Sequence, residues 1–149
     1  MEKFTNIIAE SINELGLFDK NKQYIFTVIK PGFLPYAKQI IEKFEEKGWK
    51  VSKTAIKQLL LREANELYKV HKKESFYKDL CKYMSSGLSM AIIYVREKPF
   101  NESVFKRVDA IKKEIRETWG ESDMRNVLHS SDSLEHMKAE MKVYFAPVG

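Results

Sequence analysis

Cysteine is nearly absent: Cys81 stands alone in 149 residues. One thiol excludes an intrachain disulfide and any multi-cysteine metal site, makes a reducing compartment the economical setting, and reads as buried filler. Histidine is almost as scarce, and His71, His129 and His136 share no spacing that a structural metal would require. The chain has no glycine-rich phosphate loop and no nucleophile elbow, so a phosphate would have to be held by side chains. No stretch approaches the ~18 consecutive apolar residues of a membrane span. Glu2, Glu10, Glu14 and Asp19 argue against a transit peptide. A soluble, cytoplasmic protein is the expectation. Charge of one sign does not dominate either: 26 Lys and Arg stand against 21 Asp and Glu, giving +5 and a pI near 9.1. That mild excess favours anionic partners, but the two signs are interleaved, which speaks against nucleic acid as the main partner.

What is present suffices for one compact domain: 44% of the residues are hydrophobic, and the length is too small for two comfortable cores. Over residues 1–22, Phe4, Ile7, Ile8, Ser11, Ile12 and Leu15 recur at helical spacing and stop at Gly16, which predicts an amphipathic helical extension ahead of a domain spanning 23–149. Tyr24 to Ile29 is a short β-rich apolar run and predicts a buried strand that ends at Lys30-Pro31-Gly32. Ile40, Ile41 and Phe44 mark a helix that Gly48 terminates, and Trp49 to Leu59 predicts a second strand. Leu60 to Tyr68 and Phe76 to Met84 predict two short helices around a polar connection containing His71, and Met90 to Val95 predicts another buried strand. Val104, Val108, Ile111 and Ile115 line one helical stripe after Ser103. Residues 117–128 lose that period and read as loop. Asp132-Ser133-Leu134-Glu135 fits a capping box that opens a helix to about Met141, and Val143-Tyr144-Phe145 reads as a closing strand. The order predicts an α+β domain of the ferredoxin-like βαββαβ kind, a four-stranded antiparallel sheet covered by helices.

The densest chemistry lies in Arg125-Asn126-Val127-Leu128-His129-Ser130-Ser131-Asp132-Ser133. An arginine and an amide precede one imidazole, and small polar residues follow it, a composition that suits a histidine facing an anion. On residues alone His129 is a nucleophile, a general base or a hydrogen-bonded structural histidine, and Ser131, Asp132 and Ser133 read equally well as a helix cap.

This stretch resembles the active-site signature of nucleoside diphosphate kinases, Asn-Ile-Ile-His-Gly-Ser-Asp-Ser. Val28-Ile29-Lys30-Pro31 is similar to the lysine motif of that family's first strand. The run from Ile41 to Trp49 looks like its first helix and cap, and Lys82-Tyr83-Met84-Ser85-Ser86-Gly87 like the stretch before its third strand. The pieces keep their order and cover about residues 24–146.

The resemblance implies transfer of the γ-phosphate of a nucleoside triphosphate to a nucleoside diphosphate by a ping-pong route through a phosphohistidine. A nucleotide-binding scaffold of the same fold with weak or no transfer is the alternative. By the match, His129 is the nucleophile, Glu140 the carboxylate that orients it, and Ser131 a hydroxyl near the moving phosphoryl group. Lys30, Tyr68, Arg107 and Arg116 match phosphate contacts, Asn126 a sugar contact, and Phe76 and Leu80 neighbours of the base. Mg²⁺ would arrive with the nucleotide, with Asp132 as the carboxylate near the phosphates. A homo-oligomer is implied, with the dimer favoured over the hexamer.

The chain departs from the pattern at four places. The loop after Lys30 is shorter than usual, Ser130 replaces a glycine, and Asp123 replaces an apolar residue beside the base. The segment between Val95 and Arg116 is shortened, and its phosphate-binding threonine has no counterpart. Arg107 and Arg116 are nine residues apart, which on one straight helix places them about 180° from each other. Lys112, four residues before Arg116, shares its face.

Overall fold

Seven successive buried residues, Gln23–Ile29, form the strand β1. A strand buried on both faces has no use for alternation, and the uninterrupted run Tyr24 to Ile29 provides none. The structure, a computed structural model, describes Asp19 and residues 21–99 and 103–145; the predicted N-terminal helix lies outside the described residues. β2 (Lys50–Lys57), β3 (Ser89–Arg96) and β4 (Leu128–Ser130) complete one sheet in the order β2-β3-β1-β4. All three pairings are antiparallel. This is the ferredoxin-like order expected from the sequence. β1 pairs with β3 along its whole length, from Gln23 opposite Arg96 to Ile29 opposite Met90. β2 is the less regular partner, with a shift between Val51 and Lys53.

The helices pack on the sheet and bring the site together. α1 (Ala37–Glu45) buries Ile40 and Phe44, and Phe44 stacks on Tyr94 of β3 at 4.3 Å between ring centres. Gly48 ends this segment at φ +90, a left-handed turn that side-chain-bearing residues resist. α2 (Leu61–Leu67) and α3 (Tyr77–Met84) form a pair between β2 and β3, linked by a 3-10 turn at Lys69–His71. α4 (Val104–Trp119) buries Val104, Phe105, Val108, Ile111 and Ile115, the predicted stripe plus one aromatic. Among the described residues no helix is long and apolar enough to cross a membrane.

Three details correct the sequence reading. α4 runs on to Trp119, past the point where the predicted loop begins, and stops at Gly120, where an added Cβ would lie 2.4 Å from the Arg116 carbonyl oxygen. The predicted closing strand Val143-Tyr144-Phe145 is overturned, because α5 spans Leu134–Tyr144 and buries Leu134, Met137, Met141 and Tyr144 on one face. The fourth strand is instead β4, which carries His129. The cap of α5 is Ser133, whose hydroxyl accepts the His136 backbone N–H at 3.2 Å, while Asp132 turns to the His136 ring.

Candidate active site

The site begins with a strained turn. Val127 is fully buried and has φ +80, a conformation β-branched residues rarely adopt. The Leu128 N–H donates to the Asn126 carbonyl at 3.1 Å across it, so Val127 is the centre of a γ-turn. Two bonds from one guanidinium bracket that turn: Arg116 Nε donates to Asn126 O at 3.2 Å and Nη2 to Leu128 O at 2.9 Å. A third tie comes from β1, where the Lys30 N–H donates to Val127 O at 2.8 Å. The chain leaves this clamp directly into β4, where His129 pairs with Val28.

The imidazole is held from α5. His129 Nε2 is hydrogen-bonded to Oε1 of Glu140, whose side chain is only 7% exposed. With a carboxylate at Nε2, the proton belongs on that nitrogen, and Nδ1 keeps the free lone pair. The Tyr68 and His129 rings meet edge to face, with centroids 5.2 Å apart, and His71 lies near both Tyr68 and Phe76.

Two cavities meet at His129. The first, about 460 Å³, is lined by Lys30, Tyr68, Phe76, Leu80, Arg116, Asn126 and His129, together with His71, Asp123 and Met124. Apolar walls at Phe76 and Leu80 with cations at Lys30 and Arg116 suit a ligand that is flat at one end and anionic at the other. The second, about 480 Å³, shares His71, Arg116 and His129 and adds Lys112, Asp132, Glu135 and His136 among others. Seven of the residues singled out by sequence thus share the first cavity, and Asp132 and Glu140 line the second. Ser131 is buried beside them and lines neither. Arg107 is not brought there: it is exposed on α4, and its charge acts on Arg96 at the end of β3.

The electrostatics are those of a desolvated cation cluster. Burial, then the charges of Arg116 and Lys112, push the Lys30 amine down to about 7. Among the described residues its Nζ bonds only neutral acceptors, Asn126 Oδ1 at 2.7 Å and Met124 O at 3.2 Å. Burial likewise lowers Lys112 and Arg116, and raises the Tyr68 hydroxyl well above its ordinary range. Two buried hydroxyls here, Tyr68 Oη and Ser131 Oγ, have no hydrogen-bond partner among the described residues. Tyr68 lines the first cavity, and an orphan hydroxyl there is what a polar ligand would satisfy. The Asp132 carboxyl is held low: burial raises it, but the hydrogen bond and charge of His136 outweigh burial. Among the described residues, no group of three or more His, Cys, Asp or Glu is arranged to hold a metal ion.

Sequence reasoning passed over His71, which lines both cavities. The available signal was its position three residues after Tyr68, one helical turn along a helical segment. The Asp132–His136 pair, at i and i+4 across the start of α5, was legible by the same rule.

Known proteins resemble this chain over most of its length. The family model described as nucleoside diphosphate kinase matches residues 23–148. A nucleoside diphosphate kinase of Kosmotoga olearia is 34% identical over 114 residues, 72% of this chain and 76% of that protein. One from Helicobacter pylori is 32% identical over 132 residues, 84% of this chain and 96% of that protein. The solved nucleoside diphosphate kinase of Aquifex aeolicus superposes with a TM-score of 0.73 at 24% identity, covering 84% of this chain and 96% of that one, which speaks for the fold.

Proposed function

The chain belongs to the nucleoside diphosphate kinase family, and from that premise we propose that it moves the γ-phosphate of a nucleoside triphosphate to a nucleoside diphosphate by way of His129. The observation that carries the proposal is the His129–Glu140 pair, with His129 on the wall the two cavities share, beside the Lys30 and Arg116 cations. Glu140 keeps the proton at Nε2, so the Nδ1 lone pair attacks the γ-phosphorus. The bond from that phosphorus to the bridging oxygen breaks, and the nucleoside diphosphate leaves with its electrons. In the second half, a terminal oxygen of an incoming diphosphate takes the phosphoryl group from Nδ1 and restores the imidazole. One hard step becomes two easier ones, and both use the same cations to offset charge on the moving oxygens.

Within this reading the base lies between Phe76 and the Asp123 side of the first cavity, the sugar meets Asn126 and Lys30, and the phosphates reach Arg116, Tyr68 and Ser131. The orphan hydroxyl of Tyr68, on the wall of the first cavity, fits such a ligand. Mg²⁺ is proposed to enter on the nucleotide; the hard oxygen donors of Asp132 and Glu135 in the second cavity fit it as partners. Asp132 and Glu135 would hold it together with the nucleotide, and it would neutralise charge on the phosphates. The exposed Val51 and Ile56 on the edge strand β2 support assembly with a second copy. The single cysteine and the mixed surface charge support a cytoplasmic location.

The test is incubation with γ-labelled ATP and Mg²⁺. Wild type should acquire acid-labile label, lose it on addition of a nucleoside diphosphate, and do neither as His129→Ala. Nucleotide binding without label on wild type would select a scaffold role.

A further inference from the structure

Among the described residues Lys112 is a largely buried cation without a close counter-charge. Its side chain is 15% exposed, although lysines on a helix usually run their amines out to water. Its ion-pair partner among the described residues, Asp109, is 3.8 Å away and itself 69% exposed, too far for a hydrogen bond. The carboxylates whose charge reaches it from α5 and its N-terminal side are already engaged, Asp132 with His136 and Glu140 with His129. Its neighbour one turn on, Arg116, carries the same charge, an arrangement that opposes helix stability. Lys30, across at the end of β1, feels both. Three cations therefore converge around His129 from two elements, bonded only to neutral groups or to a distant carboxylate.

Arg116 alone is poorly supplied to answer for a phosphate chain. Two of its nitrogens, Nε and Nη2, are already committed to the Asn126 and Leu128 carbonyls. Lys30 lines the first cavity and Lys112 the second, and Arg116 lines both. A chain of phosphates passing Arg116 would have Lys30 on one side and Lys112 on the other. We propose that Lys112 is a substrate-contacting residue of this site, binding from the second cavity a phosphate oxygen of the nucleoside di- or triphosphate. The proposal deepens the transfer reading and rests on it for the identity of the ligand. A polyanion there offsets the mutual repulsion among the three cations, which accounts for their standing together without a close carboxylate.

The test compares wild type with Lys112→Gln, Lys112→Met and Lys112→Arg, and with Lys106→Gln, an exposed position of α4 that lines neither cavity. Kinetics give kcat and KM. Calorimetry gives the affinities for ADP and for adenosine, which carries the base and sugar without phosphates. Lys112→Gln and Lys112→Met should lose roughly 10²-fold in kcat/KM and weaken ADP while leaving adenosine unchanged. Lys112→Arg should restore much of both, and Lys106→Gln should match wild type. Both neutral variants should melt no lower than wild type, because an uncompensated charge has been removed.

Wild-type kinetics and ADP affinity in the neutral variants would overturn the proposal. So would an equal loss of ADP and adenosine, or a marked fall in melting temperature, since either assigns Lys112 a structural role. Wild type that takes no label on His129, yet loses ADP affinity as Lys112→Gln, would sink the transfer reading and leave this one standing. Wild type that binds no ADP overturns both.

Discussion

Lys30 Nζ lies 2.7 Å from Asn126 Oδ1, a neutral amide, and no carboxylate among the described residues is bonded to it. An amine with such a partner is stabilised in its charged form far less than one in an ion pair. Burial and the two neighbouring cations then set its pKa, near 7 instead of the ordinary 10.5.

The first prediction is a pH dependence. Because the proposed role of Lys30 requires its charge, kcat/KM should fall as pH rises through about 7. A bound polyanion favours the ammonium, so nucleotide binding at pH 8 should take up protons. Calorimetry in buffers of differing ionisation enthalpy measures that uptake. The stability effect has a definite sign: the folded pKa is lowered, so Lys30 costs stability at pH values below about 7, and the cost is relieved as pH rises toward 10.5. Loss of the Lys112 charge should move the kinetic limb to higher pH. A limb that stays in place in Lys112→Gln would contradict the mutual repulsion.

The second prediction concerns Glu140→Gln. The amide keeps the volume but removes the charge that fixes the Nε2 proton of His129. Transfer should slow by about 10²-fold, with KM for the triphosphate little changed, because the substitution acts through the imidazole. Single-turnover labelling of His129 separates the two parameters. An unaltered labelling rate would deny Glu140 its orienting role.

The third prediction separates two cations one helical turn apart. Arg116→Ala should cost about 2 kcal/mol of stability as well as activity, since charged hydrogen bonds to Asn126 and Leu128 carbonyls are lost with it. Lys112→Gln should cost activity alone. Denaturant titration of the two variants reads the difference. Equal stabilities for Arg116→Ala and wild type would mean that the Val127 turn holds itself.

Much of the fold was legible because periods and runs are long. β1 and β3 are apolar runs bounded by turn residues, and α4 shows four stripe positions in register. The last strand was misplaced for a physical reason. Val143, Tyr144 and Phe145 are β-formers by propensity, yet Tyr144 continues the helical spacing of Leu134, Met137 and Met141, and the longer pattern prevails. β4 has three residues, too few to show alternation, and owes its strand conformation to pairing with β1. At the site, composition alone left His129 undecided; matched motifs nominated its companions, and the structure gathers most of them. The opposed placement of Arg107 and Arg116 followed from helix geometry, and the unbroken α4 keeps them apart. The γ-turn at Val127 left no mark in sequence, since nothing about a valine announces a positive φ.

The pairing of His129 with Val28 joins residues roughly a hundred positions apart along the chain. Every other ladder of the sheet links segments nearer to each other in sequence, so β4 closes the largest loop of the sheet and has only three residues with which to hold it. Such contacts form late, after the entropy of the intervening chain has been lost to earlier structure. During refolding the imidazole should reach Glu140 only once the rest of the sheet is in place. On the proposed function, phosphoryl transfer at this histidine would thus read out completed folding, and a partly folded chain would lack the means to split a triphosphate.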